Sequence, residues 1–66
     1  MSENELKLIE ELKSGFITSL QAYQKYEINL GVFCHKLMIH GYTIIRKAEC
    51  IDFYKNKVAI FHYKIS

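Results

Sequence analysis

Residues 18–45 read TSLQAYQKYEINLGVFCHKLMIHGYTII, and the fold turns on where helices begin and stop within this stretch. Thr18-Ser19-Leu20-Gln21 has the form of a capping box. The threonine hydroxyl can accept from a free amide of the first turn while the glutamine side chain reaches back to the amide of Thr18. Ile17, just before the cap, is placed to staple onto Ala22. A helix over about 19–26 follows. Glu27-Ile28-Asn29 interrupts it, and Asn29 is a favoured cap for a further helix running to His40 and stopping at Gly41. Two helices joined by a tight turn are the result.

Towards the N-terminus, Ser2-Glu3-Asn4-Glu5 is another capping box. It predicts a helix from near Glu3 in which Leu6, Ile9 and Leu12 recur on one side with Leu8 flanking, while Glu10, Glu11 and Lys13 face water. Gly15 can supply a left-handed stop, ending this helix near Ser14. Beyond Gly41 the periodicity changes. Tyr42-Thr43-Ile44-Ile45 and Val58-Ala59-Ile60-Phe61-His62-Tyr63 are rich in β-branched and aromatic residues and read as strands. The polar stretch Asp52 to Lys57 suits a hairpin tip, and Phe61, Tyr63 and Ile65 alternate onto one side of the last strand. The expected fold class is therefore α+β. Three helices and a C-terminal two-stranded β-hairpin wing form one winged helix-turn-helix domain over residues 1–66, with Phe16-Ile17 placed to add a short third strand.

Composition narrows the function classes. The chain has 66 residues, half of them hydrophobic and 24% charged, with a formal charge of +2. That hydrophobic content is too high for a disordered chain, and no apolar run approaches the roughly 20 residues that span a bilayer. A chain this short buries only about 60% of its unfolded surface, which favours a binding module over a multi-step enzyme cleft. The first residues are acidic and amphipathic, unlike a secretion signal, so a soluble protein in the cytoplasm is expected. Cys34 and Cys50 cannot make a multi-bridge framework, and both sit in apolar patterns that suggest buried free thiols. Charge is uneven: residues 1–15 are net −2, whereas residues 42–66 are net +3 through Arg46, Lys47, Lys55, Lys57 and Lys64 against Glu49 and Asp52. This is a modest basic patch, compatible with phosphate contact.

Gly15-Phe16-Ile17-Thr18, Ala22, Ile28, Leu30, Leu37, Gly41-Tyr42-Thr43-Ile44 and Tyr63-Lys64-Ile65 occur in an order and spacing that resembles the small winged helix-turn-helix proteins of phages and prophages. The resemblance covers about residues 6–65. It implies a third helix that enters the major groove of double-stranded DNA and a wing that touches backbone phosphate. The chain departs from the family pattern where DNA would be read: Met38 stands where the family has Arg after the leucine.

With Leu30, Cys34, Leu37 and Gly41 facing inward, the 100° step per residue puts Val32, His35, Lys36 and Ile39 on the outer side of the third helix. Asn29 lies near its start, and Phe33 and Met38 lie on its flanks. Two roles fit. A phage-type DNA-binding regulator would use Asn29, Val32, His35, Lys36 and Ile39 in the groove and Arg46, Lys47, Lys55 and Lys57 on phosphates; it needs a continuous positive surface. No Arg on the helix is available for bidentate contact with guanine. A protein-binding winged helix, such as a phage-encoded anti-CRISPR-like inhibitor of a host enzyme or defence complex, would use Val32, Phe33, Met38 and Ile39 as an apolar anchor, and needs them exposed. The bland alternatives stay open: Val32, Phe33 and Ile39 buried under the wing or in a homodimer, and hairpin lysines that simply protect a strand edge. The DNA role is narrowly the stronger expectation on sequence, and a homodimer would suit either.

Other chemistry is weakly signalled. The five tyrosines fit core closure better than base stacking. Cys34, His35, His40, Cys50 and His62 include no Cys-x-x-Cys pair, so no metal or other cofactor is expected. Adjacent Cys34 and His35 point about 100° apart on a helix, and no phosphate loop or paired-carboxylate cleft is present, so no enzyme activity is expected.

Overall fold

The computed structural model describes residues 2–66 and has α+β architecture, with three helices and a three-stranded antiparallel sheet. The elements are α1 (Glu3–Ser14), β1 (Ile17–Thr18), α2 (Ser19–Tyr26), α3 (Leu30–Ile39), β2 (Ile44–Phe53) and β3 (Asn56–Ile65). Each helix start is the one its polar residues dictate. Ser2 and Glu5 form the reciprocal capping box of α1, Thr18 and Gln21 that of α2, and the Asn29 side chain accepts from the Val32 amide at 3.3 Å.

The helix ends are less uniform. Gly41, at φ 98°, closes α3 in a Schellman arrangement: its amide donates to the Met38 carbonyl at 3.1 Å and the Tyr42 amide to that of Leu37 at 3.0 Å. Gly15 does not supply the expected left-handed stop. Its φ of 174° is extended, because the chain passes straight from α1 into β1. At the end of α2 it is Glu27, not a glycine, that takes the left-handed conformation, at φ 56°, and its amide donates to the Tyr23 carbonyl.

One core unites the helices with the end of the sheet: Leu8, Ile9 and Leu12 of α1, Ala22 of α2, Leu30, Phe33, Cys34 and Leu37 of α3, and Ile65 of β3. Fully burying an aliphatic side chain stabilises by about 1.5–3 kcal/mol relative to leaving it in water, and four leucines here are fully buried. Two assignments differ from the periodicity reading. Leu8 is buried and Leu6 is 54% exposed, because the inward stripe of α1 runs through Leu8, Ile9 and Leu12, and Leu6 lies about 200° around the helix from Leu8. Phe33 is also buried; it lies about 60° from Leu30 and 40° from Leu37, inside the inward arc of α3 rather than on an outer flank.

Sheet order is β1-β3-β2, so the hairpin gains a short third strand at its base, where Ile17 pairs with Tyr63 and Thr18 with His62. The hairpin is longer than the apolar runs suggested. Its ladder extends from Ile44↔Ile65 to Phe53↔Asn56 around the two-residue turn Tyr54-Lys55. Ten residues at about 3.3 Å each make an arm of about 33 Å, consistent with a longest molecular dimension of 41 Å. Most of the arm lies beyond the core, so Cys50, expected to be buried, is exposed while Cys34 is buried. Among the described residues no helix is long and apolar enough to cross a membrane.

Candidate functional site

The inward arc of α3 determines what its outer side displays. Opposite Leu30, Phe33, Cys34 and Leu37 lie Val32, His35 and Ile39, at the i, i+3, i+7 spacing of a single helical stripe. Val32 is 67% and Ile39 73% exposed, and Met38 on the shoulder is 56% exposed. These three aliphatic side chains form an uncovered apolar ridge around His35. Asn29 is at the start of the ridge, but its side-chain oxygen is committed to capping α3.

The shoulder of α3 meets the sheet across a groove of about 330 Å³ lined by Gly31, Cys34, His35 and Met38 on the helix and by Ile44, Arg46 and Tyr63 on the hairpin. Cross-strand register explains which hairpin residues face it. Ile44, Arg46, Ala48, Cys50 and Asp52 share one face with Lys57, Ala59, Phe61, Tyr63 and Ile65. On that face the Arg46 guanidinium lies 5.1 Å from the centre of the Phe61 ring, a cation–π contact that holds it over the arm. Cys34 is a neutral thiol at the groove floor, since burial pushes its pKa up to about 11.

The basic residues do not converge. Lys36 lies on the far shoulder of α3, where its Nζ is 3.4 Å from Glu5 Oε2 on α1. The Ser2 amide, the Ser2 hydroxyl and then Lys36 hold the Glu5 carboxyl below the usual carboxylate range, so Glu5 is ionised and offsets the Lys36 charge. Lys47 belongs to the opposite face of the hairpin, with its Nζ 4.9 Å from the centre of the Phe16 ring; Lys64 shares that ring at 5.7 Å. Lys55 sits in the terminal turn, and Lys57 pairs across the ladder with Asp52 near the tip.

Of the residues singled out in the sequence, Val32, His35, Met38 and Ile39 therefore come together, and Arg46 borders them across the groove. Lys36, Lys47, Lys55 and Lys57 are dispersed over three other regions, and Phe33 is absent from the surface. Sequence reasoning missed Glu5, Gly31, Ile44, Phe61 and Tyr63 as neighbours of the site. The alternation of Phe61 and Tyr63 along the strand was a usable signal, whereas nothing local links Glu5 to a lysine 31 residues away. Among the described residues no group of three or more metal-ligating side chains is gathered in one place. Comparison of the chain with protein-family models, with curated protein sequences and with solved structures gives no match.

Proposed function

We propose that the protein is a small winged-helix recognition domain that docks a partner protein on the outer face of α3. The element order, with α2 and α3 joined by a tight turn and a β-hairpin following α3, supports the winged-helix reading. One observation carries the docking role: Val32, Met38 and Ile39 are each more than half exposed on a helix whose single lysine is held by Glu5. An uncovered aliphatic ridge gains more from a desolvating protein surface than from the charged backbone of DNA, and Arg46 at its border is the residue type that rims such anchors. The resemblance to phage and prophage proteins supports a host protein as the partner.

DNA binding is the second reading, favoured by the net +3 of residues 42–66 and by Arg46 and Lys57 on the side of the hairpin that faces α3. Two experiments on the full chain separate the two. In affinity capture from host extract, partner protein should be retained by the wild type and lost with Ile39→Asp, whose thermal midpoint should remain near that of the wild type. In fluorescence anisotropy with mixed-sequence duplex, the protein-docking reading expects no saturable binding even at low salt. Saturable binding with a log–log salt slope of about −2.7, the value for three phosphate contacts, and indifferent to Ile39→Asp, would overturn it in favour of DNA.

A further inference from the structure

β2 is the edge strand of the sheet: it pairs with β3 on one side and its other side is open along ten residues. Counting outward from the two-residue turn, the ladder directs the backbone groups of Phe53, Ile51, Glu49, Lys47 and Ile45 towards β3. Those of Asp52, Cys50, Ala48, Arg46 and Ile44 therefore point to the open edge. Such an edge is a template for another strand, and most natural sheets blunt it with charge or a bulge. Here four charges lie along it, Arg46, Lys47, Glu49 and Asp52, and exposed apolar side chains lie among and beside them: Ile45 at 41%, Ile51 at 41% and Phe53 at 60%. What matters is whether these charges repel every strand or match one.

We propose that the partner of this edge is a second copy of the chain, with β2 pairing antiparallel to β2 about a two-fold axis through Ala48. A two-fold axis normal to the sheet keeps each side chain on its own face, so every register is centred on one residue that meets its own symmetry mate. Centring on Arg46, Lys47 or Glu49 sets like charges directly against each other. Centring on Cys50 or Ile51 sets Glu49 against Ile51 or Phe53. Centring on Ala48 sets Lys47 against Glu49 of the second copy and Ile45 against Ile51 of the second copy, each twice by symmetry, while on the opposite face Arg46 meets Cys50 and Ile44 meets Asp52, with Arg46 and Asp52 diagonal to each other. Phe53 then lies diagonally across from Ile45 of the second copy.

Ile45, Lys47, Glu49, Ile51 and Phe53 share one face of the hairpin and fall at the non-hydrogen-bonded positions of the new ladder, where opposed Cα atoms are only about 4.5 Å apart and side chains interact most strongly. The smallest side chain of the edge, Ala48, sits at the axis. The Glu49 carboxylate already accepts from or pairs with His62 Nε2 at 3.2 Å, but with 57% of its side chain exposed it still presents a free oxygen to the lysine. The result is a continuous six-stranded sheet. Because the groove places α3 against the other hairpin face, the two-fold leaves both α3 ridges uncovered and on the same side. The pairing thus stands apart from what α3 binds, and would make that binding bivalent.

The test is sedimentation of the purified full chain over a concentration series, together with register-specific cross-linking. The wild type should reach twice the 7.8 kDa chain mass. Lys47→Glu should weaken dimerisation by about tenfold or more, since two attractive pairs become repulsive, and Glu49→Lys should do the same. The double charge swap Lys47→Glu with Glu49→Lys should restore the dimer, which separates a pairing effect from misfolding. Under mild oxidation Ala48→Cys in a Cys50→Ser background should form a covalent dimer, because symmetry mates in a hydrogen-bonded pair lie about 5.5 Å apart, within disulfide reach. A monomer at every concentration, a dimer indifferent to both single charge reversals, or faster cross-linking through native Cys50 than through Ala48→Cys would each overturn the proposal.

Discussion

Lys36 Nζ on α3 lies 3.4 Å from Glu5 Oε2 on α1, and the other oxygen of that carboxylate accepts from the Ser2 amide and hydroxyl at 3.1 Å. A single carboxylate thus caps the first helix and fastens the third one to it. The consequence for recognition is direct, since the one lysine of α3, which phosphate contact by this helix would need, lies beside an acid. What remains on the outer side of α3 is aliphatic apart from His35.

The same carboxylate makes folding sensitive to acid, together with Glu11, which the Lys25 ammonium and then the Tyr26 hydroxyl hold below its usual range. A carboxyl whose pKa is lowered in the folded state contributes stability that is whole above its ordinary value and is lost as pH falls through the lowered one. The thermal midpoint should therefore be flat around neutrality and fall on acidification below about pH 4.5. Glu11→Gln should lower the midpoint at neutral pH and make the acid decline shallower. An acid decline equally steep in Glu11→Gln and wild type would show that these carboxylates do not set it.

Two leucine-sized side chains on α3 should behave oppositely when truncated. Leu37 is fully buried, and Leu37→Ala should cost about 2–5 kcal/mol through lost burial and the cavity left behind. Ile39 is 73% exposed, and Ile39→Ala should change stability by no more than about 0.5 kcal/mol. Urea denaturation of the two variants decides this; a comparable loss in both would mean that Ile39 is covered in the protein as it exists in solution.

The hairpin turn stores strain. Tyr54 and Lys55 have φ of 46° and 65°, the left-handed pair that a two-residue turn needs and that Asn-Gly adopts most readily. A left-handed conformation costs an ordinary L-residue roughly 1–2 kcal/mol. Replacing the pair by Tyr54→Asn with Lys55→Gly should raise stability by about 1–2 kcal/mol, a gain of several degrees in the thermal midpoint for a domain of this size. No rise in midpoint would argue against this register of the turn.

The two cysteines should react at very different rates. Cys50 is exposed on the arm and Cys34 is buried in the core, so a thiol reagent should label one site quickly in the native protein and the second only on unfolding. Burial also raises the pKa of Cys34 to about 11. The unfolded chain therefore loses this proton first, and stability should be intact below about pH 9 and decline as pH rises towards 11. Cys34→Ala should remove that alkaline decline. Rapid labelling of both thiols under native conditions would contradict the burial of Cys34.

Sequence by itself determined the three helices and their starts. Ser2, Thr18 and Asn29 each cap the amide three residues ahead, and interactions so local do not depend on the rest of the fold. The existence of the hairpin and the aliphatic identity of the outer α3 face were equally legible, because β-branched runs and a 100° periodicity are written along the chain. Tertiary structure decided what no local pattern encodes. Phe33 turned inward because the angular position of the buried arc is set by the elements packed against α3, α2 and β2 among them, not by α3 alone. Cys50 turned outward because β2 and β3 are held by their mutual ladder and extend past the core, so apolar spacing no longer implies burial there. The basic residues scattered because strand parity assigns Lys47 and Arg46 to opposite faces and the packing of α1 brings Glu5 to Lys36. Charge summed along a segment says how much basic character is present; only the packing of elements distant in sequence sets where it points.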